Sequence, residues 1–436
     1  MTKPVAIATT LLLASLLTSG AAFPTEVIQA SAATVSNSTT AVSSPYLTPL
    51  WQVNKDAQGL YSEGQQTSQG RTFYTTRNGL IAADITSGRT KWTYKDGTAP
   101  QIITNNSVFF ITNQGELVKV AADSGKLLWK VKAAKAPIEI GAQAKLIDGV
   151  VYFANESGGM AAYNPATGKK IWANQTIPMY VGSLIGTYQN TLLVSSTVNN
   201  IRSQFFGLDP ASGKQRWRVE GQYAYAGYRD GQLILRESKY AAGTASSTPS
   251  APAYLMTLTS IDVKSGKITS RKQYQPLAGA ADIYNIRTIL QGSSVYSMDE
   301  YTEQGGPLLT RFTMGQQAEQ SSKSYASYGG WLAGPVDGRV FFQKDQQITS
   351  VNLTDNTTIL FKNPASPVIH LQKIGKAVYA GFGNGKFSIM NADTGTLLGT
   401  MQTDAGEYGS ISVVNGIVLI PTEHKLFAVS LPKELR

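Results

Sequence analysis

The chain has 436 residues, 42% of them hydrophobic and 15% charged, and this composition is too apolar and too weakly charged for a disordered protein. Its 38 basic and 28 acidic residues give a net charge of +10, which favours contact with polyanions, but the basic residues form no run and are better explained as a solvated surface. The chain has no cysteine, which excludes disulfides, thiolate metal sites, haem attachment, a cysteine nucleophile and a lipid anchor on cysteine.

Residues 1–32 have the pattern of a secretory signal peptide. Lys3 supplies the positive start, the apolar run Val5–Leu17 follows, and small residues allow cleavage after Ala22 or Ala32. An apolar run of about 13 residues is shorter than the ~20 residues that a membrane-spanning helix needs. The sequence therefore predicts an exported, extracellular protein.

The remainder divides into a leader and one domain. Residues 33–46 are rich in Ser and Thr without an apolar period, which predicts a flexible leader. Residues 47–436 are expected to form a single domain, because one unit of about 40 residues recurs along that whole stretch.

Each unit contains a β-prone run that follows a Gly or Asn turn. Gly149 precedes VVYFAN, Gly231 precedes QLILRE and Gly416 precedes IVLIPT, and nine such units are counted. Four short antiparallel strands in every ~40 residues are typical of the blades of a β-propeller. Separate β-sandwich domains would need a longer period.

A second motif joins an Asx residue, a glycine four residues later and a tryptophan four residues after that. Asp209, Gly213 and Trp217 form its best copy. Complete or partial copies place the repeated residues at Trp51, Trp92, Trp129, Trp172 and Trp217, and at Gly88, Gly125, Gly168, Gly213, Gly266 and Gly395. The glycine is expected to close a hairpin in the left-handed conformation, and the tryptophan to pack against the neighbouring unit.

The two ends of the domain complement each other. The last unit, from Ser410 to Leu431, has no turn and tryptophan strand of its own, whereas an isolated strand surrounds Trp51 near the start. The sequence predicts that the Trp51 strand completes the last sheet and closes the ring, which leaves no free edge between blades.

The segments Leu208–Trp217 and Tyr163–Trp172 resemble the repeat of PQQ-like β-propellers. That family includes quinoprotein alcohol dehydrogenases, an outer-membrane assembly lipoprotein and non-catalytic secreted propellers. The resemblance implies an all-β propeller with eight blades by the family norm, against the nine units counted here.

The resemblance also raises the question of a quinone cofactor. In the dehydrogenases a ring made by two adjacent cysteines covers the quinone and a calcium ion lies beside it, and this chain has no cysteine. No cofactor is therefore expected. The carboxylates of Asp299, Glu300 and Glu303 could bind a hard cation, but a solvated acidic loop is the better interpretation.

Candidate catalytic residues are few. His370 and His424 have no serine-bearing G-x-S-x-G turn beside them, and histidines at strand edges usually carry no chemistry. The chain is therefore expected not to be an enzyme, and no metal or catalytic residue is assigned.

Tyrosines of the fifth and sixth units are the candidate binding residues, because they bury area while keeping a polar group. They lie around an insertion, Tyr240–Tyr254, and are Tyr223, Tyr225, Tyr228, Tyr240, Tyr254, Tyr284 and Tyr301. Packing between blades is the alternative role for each.

Together these observations predict a secreted, monomeric, non-enzymatic binding or scaffold protein. Its partner would be a protein or a cell-surface polymer, met on the loop-bearing face near the central channel and most of all between Gln222 and Gln304. No specific nucleic acid is expected. The alternatives are a quinone-dependent dehydrogenase and a protein that binds cell-wall polysaccharide.

Overall fold

Runs of β-branched and aromatic residues between glycine turns form the strands of this protein. In the computed structural model, VVYFAN is the strand Val150–Asn155, and it follows a turn in which Asp148 and Gly149 have φ of 48° and 77°. The structure describes residues 46–56, 67–134, 142–155, 159–178, 182–197, 202–237, 255–276, 287–299, 307–316, 322–361, 366–403 and 405–436. These residues all belong to one unit, Ser44–Arg436.

The described strands form nine antiparallel sheets of four strands each. Sheets 1 to 3 contain β2 (Thr67–Ser68), β3 (Arg71–Thr76), β4 (Gly79–Asp84), β5 (Thr90–Tyr94); β6 (Pro100–Ile103), β7 (Ser107–Ile111), β8 (Glu116–Ala121), β9 (Leu127–Lys132); and β10 (Ala142–Ile147), β11 (Val150–Asn155), β12 (Met160–Tyr163), β13 (Lys170–Asn174). Sheets 4 to 6 contain β14 (Ser183–Tyr188), β15 (Thr191–Thr197), β16 (Ser203–Leu208), β17 (Gln215–Gly221); β18 (Tyr223–Arg229), β19 (Gln232–Glu237), β20 (Leu255–Asp262), β21 (Ile268–Pro276); and β22 (Arg287–Gln291), β23 (Ser294–Asp299), β24 (Leu308–Thr313), β25 (Lys323–Ser324).

Sheets 7 to 9 contain β26 (Gly330–Val336), β27 (Arg339–Lys344), β28 (Gln347–Asn352), β29 (Thr358–Phe361); β30 (Val368–Ile374), β31 (Ala377–Phe382), β32 (Lys386–Asn391), β33 (Leu397–Gln402); and β34 (Ser412–Val414), β35 (Ile417–Pro421), β36 (Lys425–Ser430) with β1 (Pro49–Asn54). Short 3₁₀ helices cover Ala326–Tyr328 and Lys433–Leu435. No helix in the described part of the chain is long and apolar enough to cross a membrane.

The first strand of the chain completes the last sheet. β1 pairs with β36 antiparallel, with Trp51 opposite Ala428 and Val53 opposite Leu426. The prediction that the Trp51 strand closes the structure is confirmed.

The sheets form a ring because each packs on the next. Nine clusters of buried hydrophobic side chains each join two consecutive sheets within the described residues. One of them joins sheet 9 to sheet 1 through Trp51, Ile81 and Leu419. The propeller thus has nine described blades, which equals the number of repeat units and exceeds the family norm of eight by one.

At four boundaries, β6 to β10, β10 to β14, β18 to β22 and β26 to β30, the first strands of consecutive sheets contact each other, which places the first strands nearest the axis of the ring. We call these strands, β2, β6, β10, β14, β18, β22, β26, β30 and β34, the inner strands. Most of their residues are only half-buried, whereas strands such as β31 are buried on both faces. The inner strands therefore form the wall of the axial channel.

The repeated glycine and tryptophan meet across the boundary between two sheets. A Cβ atom on Gly266 would lie 2.5 Å from Cγ of Trp217 in the preceding sheet, and the indole Nε1 of Trp217 donates to the carbonyl oxygen of Val263 at 2.8 Å. The same contact joins four further pairs: Trp51 with Gly88, Trp92 with Gly125, Trp129 with Gly168, and Trp172 with Gly213. It joins sheet 9 to sheet 1 and links sheets 1 to 5 in succession.

Gly395 belongs to a copy of the motif without tryptophan. Its φ is +72°, and a Cβ there would overlap the carbonyl oxygen of Leu360 in β29. The glycine is thus needed at this boundary as well, but a backbone carbonyl takes the place of the indole ring.

We expect Gly266→Ala to destabilise the protein more than Gly70→Ala. The φ angles of the two glycines are +71° and +70°, so the left-handed backbone costs the same ~1–2 kcal/mol at both, but no atom lies within 4 Å of a Cβ on Gly70. Overlap with the indole should add about 1–3 kcal/mol at Gly266. Chemical denaturation measures both, and equal losses would contradict the account of the Trp217 contact.

Deleting residues 47–54 should lower the melting temperature by several degrees, because it exposes the edge of β36 and removes the indole from Gly88. Trp51→Ala separates the two effects, since it keeps the strand and should cost about 3–5 kcal/mol through the lost packing. Calorimetry of both variants checks this. An unchanged melting temperature after the deletion would show that β1 does not hold the ring closed.

Candidate binding cleft on the propeller axis

The inner strands of sheets 5 to 8 line an open cleft of about 730 Å³. Its wall is made by β18, β22, β26 and β30, which lie side by side around the axis. The lining residues fall into three chemical groups: apolar Ile289, Leu332, Val336 and Leu371; aromatic Tyr225 and Trp331; and polar or cationic Thr288, Gln372, Arg287 and Lys373. Such a volume with a few placed polar groups is typical of a ligand site.

Arg287 and Trp331 contact each other in this wall. The guanidinium carbon of Arg287 lies 5.9 Å from the centre of the Trp331 ring, and Nε1 of Trp331 donates to the carbonyl oxygen of Gly334 at 3.2 Å. A guanidinium on an aromatic face is attracted to the ring and keeps its edge free to donate. Among the described residues no carboxylate lies within ion-pair distance of Arg287.

Lys373, the second cation of the cleft, is held in place. Its side chain is only 9% exposed, and Nζ makes an ion pair with Asp337 and donates to the carbonyl oxygen of Gly375 at 2.8 Å. The two cations therefore differ: Lys373 is neutralised inside the fold, whereas Arg287 has a ring contact alone.

Gln372 ties the inner strand β30 of sheet 8 to the backbone of sheet 9. Its Nε2 donates to the carbonyl oxygen of Ile411 at 3.1 Å, and its Oε1 accepts from the Ile411 amide at 2.8 Å. Gln143 bridges sheets 3 and 4 in the same manner, through the backbone of Gly182 and Leu184. These glutamines tie sheet 8 to sheet 9 and sheet 3 to sheet 4, so β30 is anchored on the side of the cleft that faces sheet 9.

Among the predicted binding tyrosines that the structure describes, Tyr225 alone lines the cleft. Its side chain is 38% exposed, and burial of the remainder together with a hydrogen bond to Tyr188 raises the pKa of its phenol. Tyr228 stacks on Tyr188 with ring centres 4.1 Å apart, and Tyr223 accepts a hydrogen bond from Arg271. The structure thus separates the three neighbours into one cleft residue and two that pack within or between sheets.

Other predicted positions lie outside the described residues. These are Tyr240, Tyr254, Tyr284, Tyr301, Glu300 and Glu303. Asp299 ends β23, and its side chain is likewise not described. Within the part of the chain that the structure describes, no group of three or more His, Cys, Asp or Glu residues could hold a metal ion.

The two histidines have different surroundings. His370 lies on β30, where burial lowers its pKa and its ring centre is 6.1 Å from that of Tyr408. His424 is exposed, with a 78% exposed side chain 3.7 Å from Glu423.

A smaller cavity of about 270 Å³ lies where sheet 5 meets sheet 6. The outer strand β21 has no tryptophan, and Tyr274 packs edge-on against Phe312 with ring centres 5.4 Å apart. The loss of the repeated tryptophan thus coincides with looser packing at this boundary.

Most residues of the cleft were not predicted from the sequence. Arg287, Trp331 and Lys373 were not among the predicted site residues, and the last two lie beyond the stretch Gln222–Gln304. One signal was available, because Trp331 is the single tryptophan outside the repeat.

The profile of the protein family described as "Outer membrane protein assembly factor BamB" matches residues 38–183 and 119–351, which is most of the chain. The chain belongs to this family. The resemblance of the Asx-Gly-Trp repeat to PQQ-like β-propellers is thereby confirmed.

Relatives of known sequence are distant. An outer membrane protein assembly factor BamB from Francisella tularensis is 26% identical over 238 residues, which is 52% of this chain and 45% of that protein. Its counterpart from Francisella salina is 28% identical over 136 residues, 29% of this chain and 25% of that protein. The chain thus spans between a quarter and just under half of the length of these relatives.

Solved structures resemble the chain over most of its length but loosely. BamB from Moraxella catarrhalis has a TM-score of 0.42 at 13% identity, over 88% of this chain and 99% of that one. The quinohemoprotein alcohol dehydrogenase ADHIIG from Pseudomonas putida has a TM-score of 0.47 at 12% identity, over 89% and 76%. At this level neither structure bears on function.

We expect the stability of the protein to fall as the pH drops through the ordinary histidine pKa of 6.5, in part because of His370. Burial lowers the folded-state pKa of His370 below its ordinary value of 6.5, so the unfolded chain binds the proton first and acid favours unfolding. His370→Gln should therefore flatten the pH dependence of the melting temperature, whereas His424→Gln, at an exposed site, should not. Equal slopes for the wild type and His370→Gln would contradict this.

Proposed function

We propose that this protein is a non-catalytic scaffold that binds a partner protein in the cleft on the propeller axis. The observation that carries the proposal is the aromatic and cationic pair Trp331 and Arg287, fixed in a concave site between apolar walls. Trp, Tyr and Arg are the residues that supply most binding energy in protein interfaces when the partner covers them.

The geometry of the wall supports binding of an extended segment. The cleft runs across four neighbouring strands, with Ile289, Leu332 and Leu371 presenting apolar side chains from three different sheets. Since Gln372 ties β30 to sheet 9, this side of the cleft is held in place before binding, and a pre-formed site loses little entropy on binding.

Membership of this family supports such a role, because the matched relatives are named outer membrane protein assembly factors. The proposal includes export, on the strength of the signal-peptide pattern in residues 1–32. It places the protein on the outer side of the cytoplasmic membrane, where the partner would be another envelope or secreted protein.

The experiment is site-specific photocrosslinking in the producing cells. A photoreactive phenylalanine replaces Tyr225 in the cleft, and the control places it at Leu360, which is 51% exposed on the outer strand of sheet 7. We expect a discrete protein adduct from position 225 and none from position 360. The purified pair should then bind, and Trp331→Ala should weaken that binding at least about tenfold with the melting temperature monitored in parallel.

Three results would overturn the proposal. The first is adducts of the same kind from both positions, and the second is an isolated pair whose affinity does not change in Trp331→Ala and Trp331→Phe. The third is stoichiometric binding of the quinone with Ca²⁺ together with dye-linked dehydrogenase activity, which would establish an enzyme instead. Retention on purified cell wall that survives high salt would point to the polysaccharide alternative.

A further inference from the structure

We infer that the segment bound in the axial cleft is acidic, and that Arg287 is the residue that selects it. This inference rests on the proposed function, since it names the chemistry of the partner at that same site. It starts from the distribution of charge on the inner strands.

The inner strands carry positive charge only. Lys145, Arg229, Arg287 and Lys373 lie on them, and none of the nine inner strands contains Asp or Glu. The whole chain has 28 acidic against 38 basic residues, so chance would be expected to place some carboxylates there as well. A concave wall lined by charges of one sign concentrates their field and attracts groups of the opposite sign.

Three of these four cations have partners within the fold. Lys373 pairs with Asp337, Arg229 pairs with Asp230 at 2.9 Å, and Nζ of Lys145 donates to the carbonyl oxygen of Leu184 at 3.1 Å. Arg287 has no such partner among the described residues and contacts the Trp331 ring. Of the two cations that line the cleft, Arg287 is therefore the one available to a ligand.

The contact with Trp331 prepares Arg287 for a carboxylate. A guanidinium whose face lies over an aromatic ring still presents its N–H groups at the edge, in the planar fork that fits two carboxylate oxygens. Trp331 is itself held by the hydrogen bond of its Nε1 to Gly334. The ring contact thus places the exposed guanidinium beside the apolar wall of the cleft.

The surroundings favour an acidic peptide over a polyanion such as a polyphosphate or an anionic wall polymer. A polyanion carries a charge on every unit and needs several free cations, whereas the cleft offers one, between Ile289, Leu332 and Leu371. A peptide that places one carboxylate among aliphatic side chains would satisfy both the cation and the apolar walls.

Synthetic peptides test the inference without knowledge of the partner. The probes are three fluorescent peptides of identical length in which leucine alternates with glutamate, glutamine or lysine, and their binding is followed by fluorescence anisotropy at physiological salt. We expect the glutamate peptide to bind at least about tenfold more tightly than the glutamine peptide, because a charged pair replaces a neutral hydrogen bond. The lysine peptide should bind most weakly.

Variants of Arg287 test whether this residue causes the preference for glutamate. Arg287→Ala should remove the preference for glutamate, Arg287→Lys should keep part of it, and Arg287→Glu should turn it towards the lysine peptide. The matched control is Arg216→Ala, since Arg216 pairs with Asp209 on the outer side of sheet 4 and should leave binding unchanged. Melting temperatures show that each variant is folded.

The outcomes separate this inference from the proposed function. Peptides that bind at the cleft with equal affinity, or a glutamate preference that survives Arg287→Glu, would overturn the acidic segment and leave the scaffold intact. If micromolar polyphosphate displaces the glutamate peptide and this displacement depends on Arg287, the ligand of the cleft is a polyanion and not an acidic peptide. If no peptide binds and the cleft gives no crosslink either, the scaffold proposal itself fails.

Discussion

The ring depends on an indole laid against a glycine of the next sheet. At this boundary the glycine meets two demands at once, because its positive φ closes the hairpin and its missing Cβ leaves room for the ring, as at Gly266 beneath Trp217. The hydrogen bond from the indole to the carbonyl oxygen of Val263 then fixes the angle of approach. One local motif therefore specifies both the turn within a sheet and the distance between sheets, and repeating it generates the curvature of the ring.

Beyond sheet 5 the ring is held by other means, and the axial cleft opens beside that half. Tyr274 packs against Phe312 between sheets 5 and 6, Tyr325 stacks near Phe342 between sheets 6 and 7, and Gly395 meets the backbone of Leu360. These contacts differ from one boundary to the next. The lining of the cleft comes from sheets 5 to 8, whose boundaries are these.

The sequence was sufficient to predict the fold because residues close together in the chain specify each strand and turn. A glycine turn and a β-prone run identify each strand, and the period counts the blades, so nine units became nine sheets. The cleft could not be found in that way, since Arg287, Trp331 and Lys373 come together only when three sheets are placed around one axis. Crowding along the chain was also a poor guide: Tyr223, Tyr225 and Tyr228 share a strand, but Tyr225 alone lines the cleft.

Charged residues are distributed unevenly between the two ends of the propeller axis. Asp148, Asp230 and Asp337 occupy the turns that follow inner strands, each with positive φ, and two of them pair with a cation of the wall, so that end of the channel is neutralised. Arg287 is the first residue of β22 and lies at the opposite end, where the connections from sheet to sheet arrive. The cation of the cleft without a carboxylate partner therefore lies at the connection-bearing end, whereas Arg229 and Lys373 are paired with aspartates at the turn-bearing end. The same antiparallel pairing that builds the blades thus gives the channel its direction.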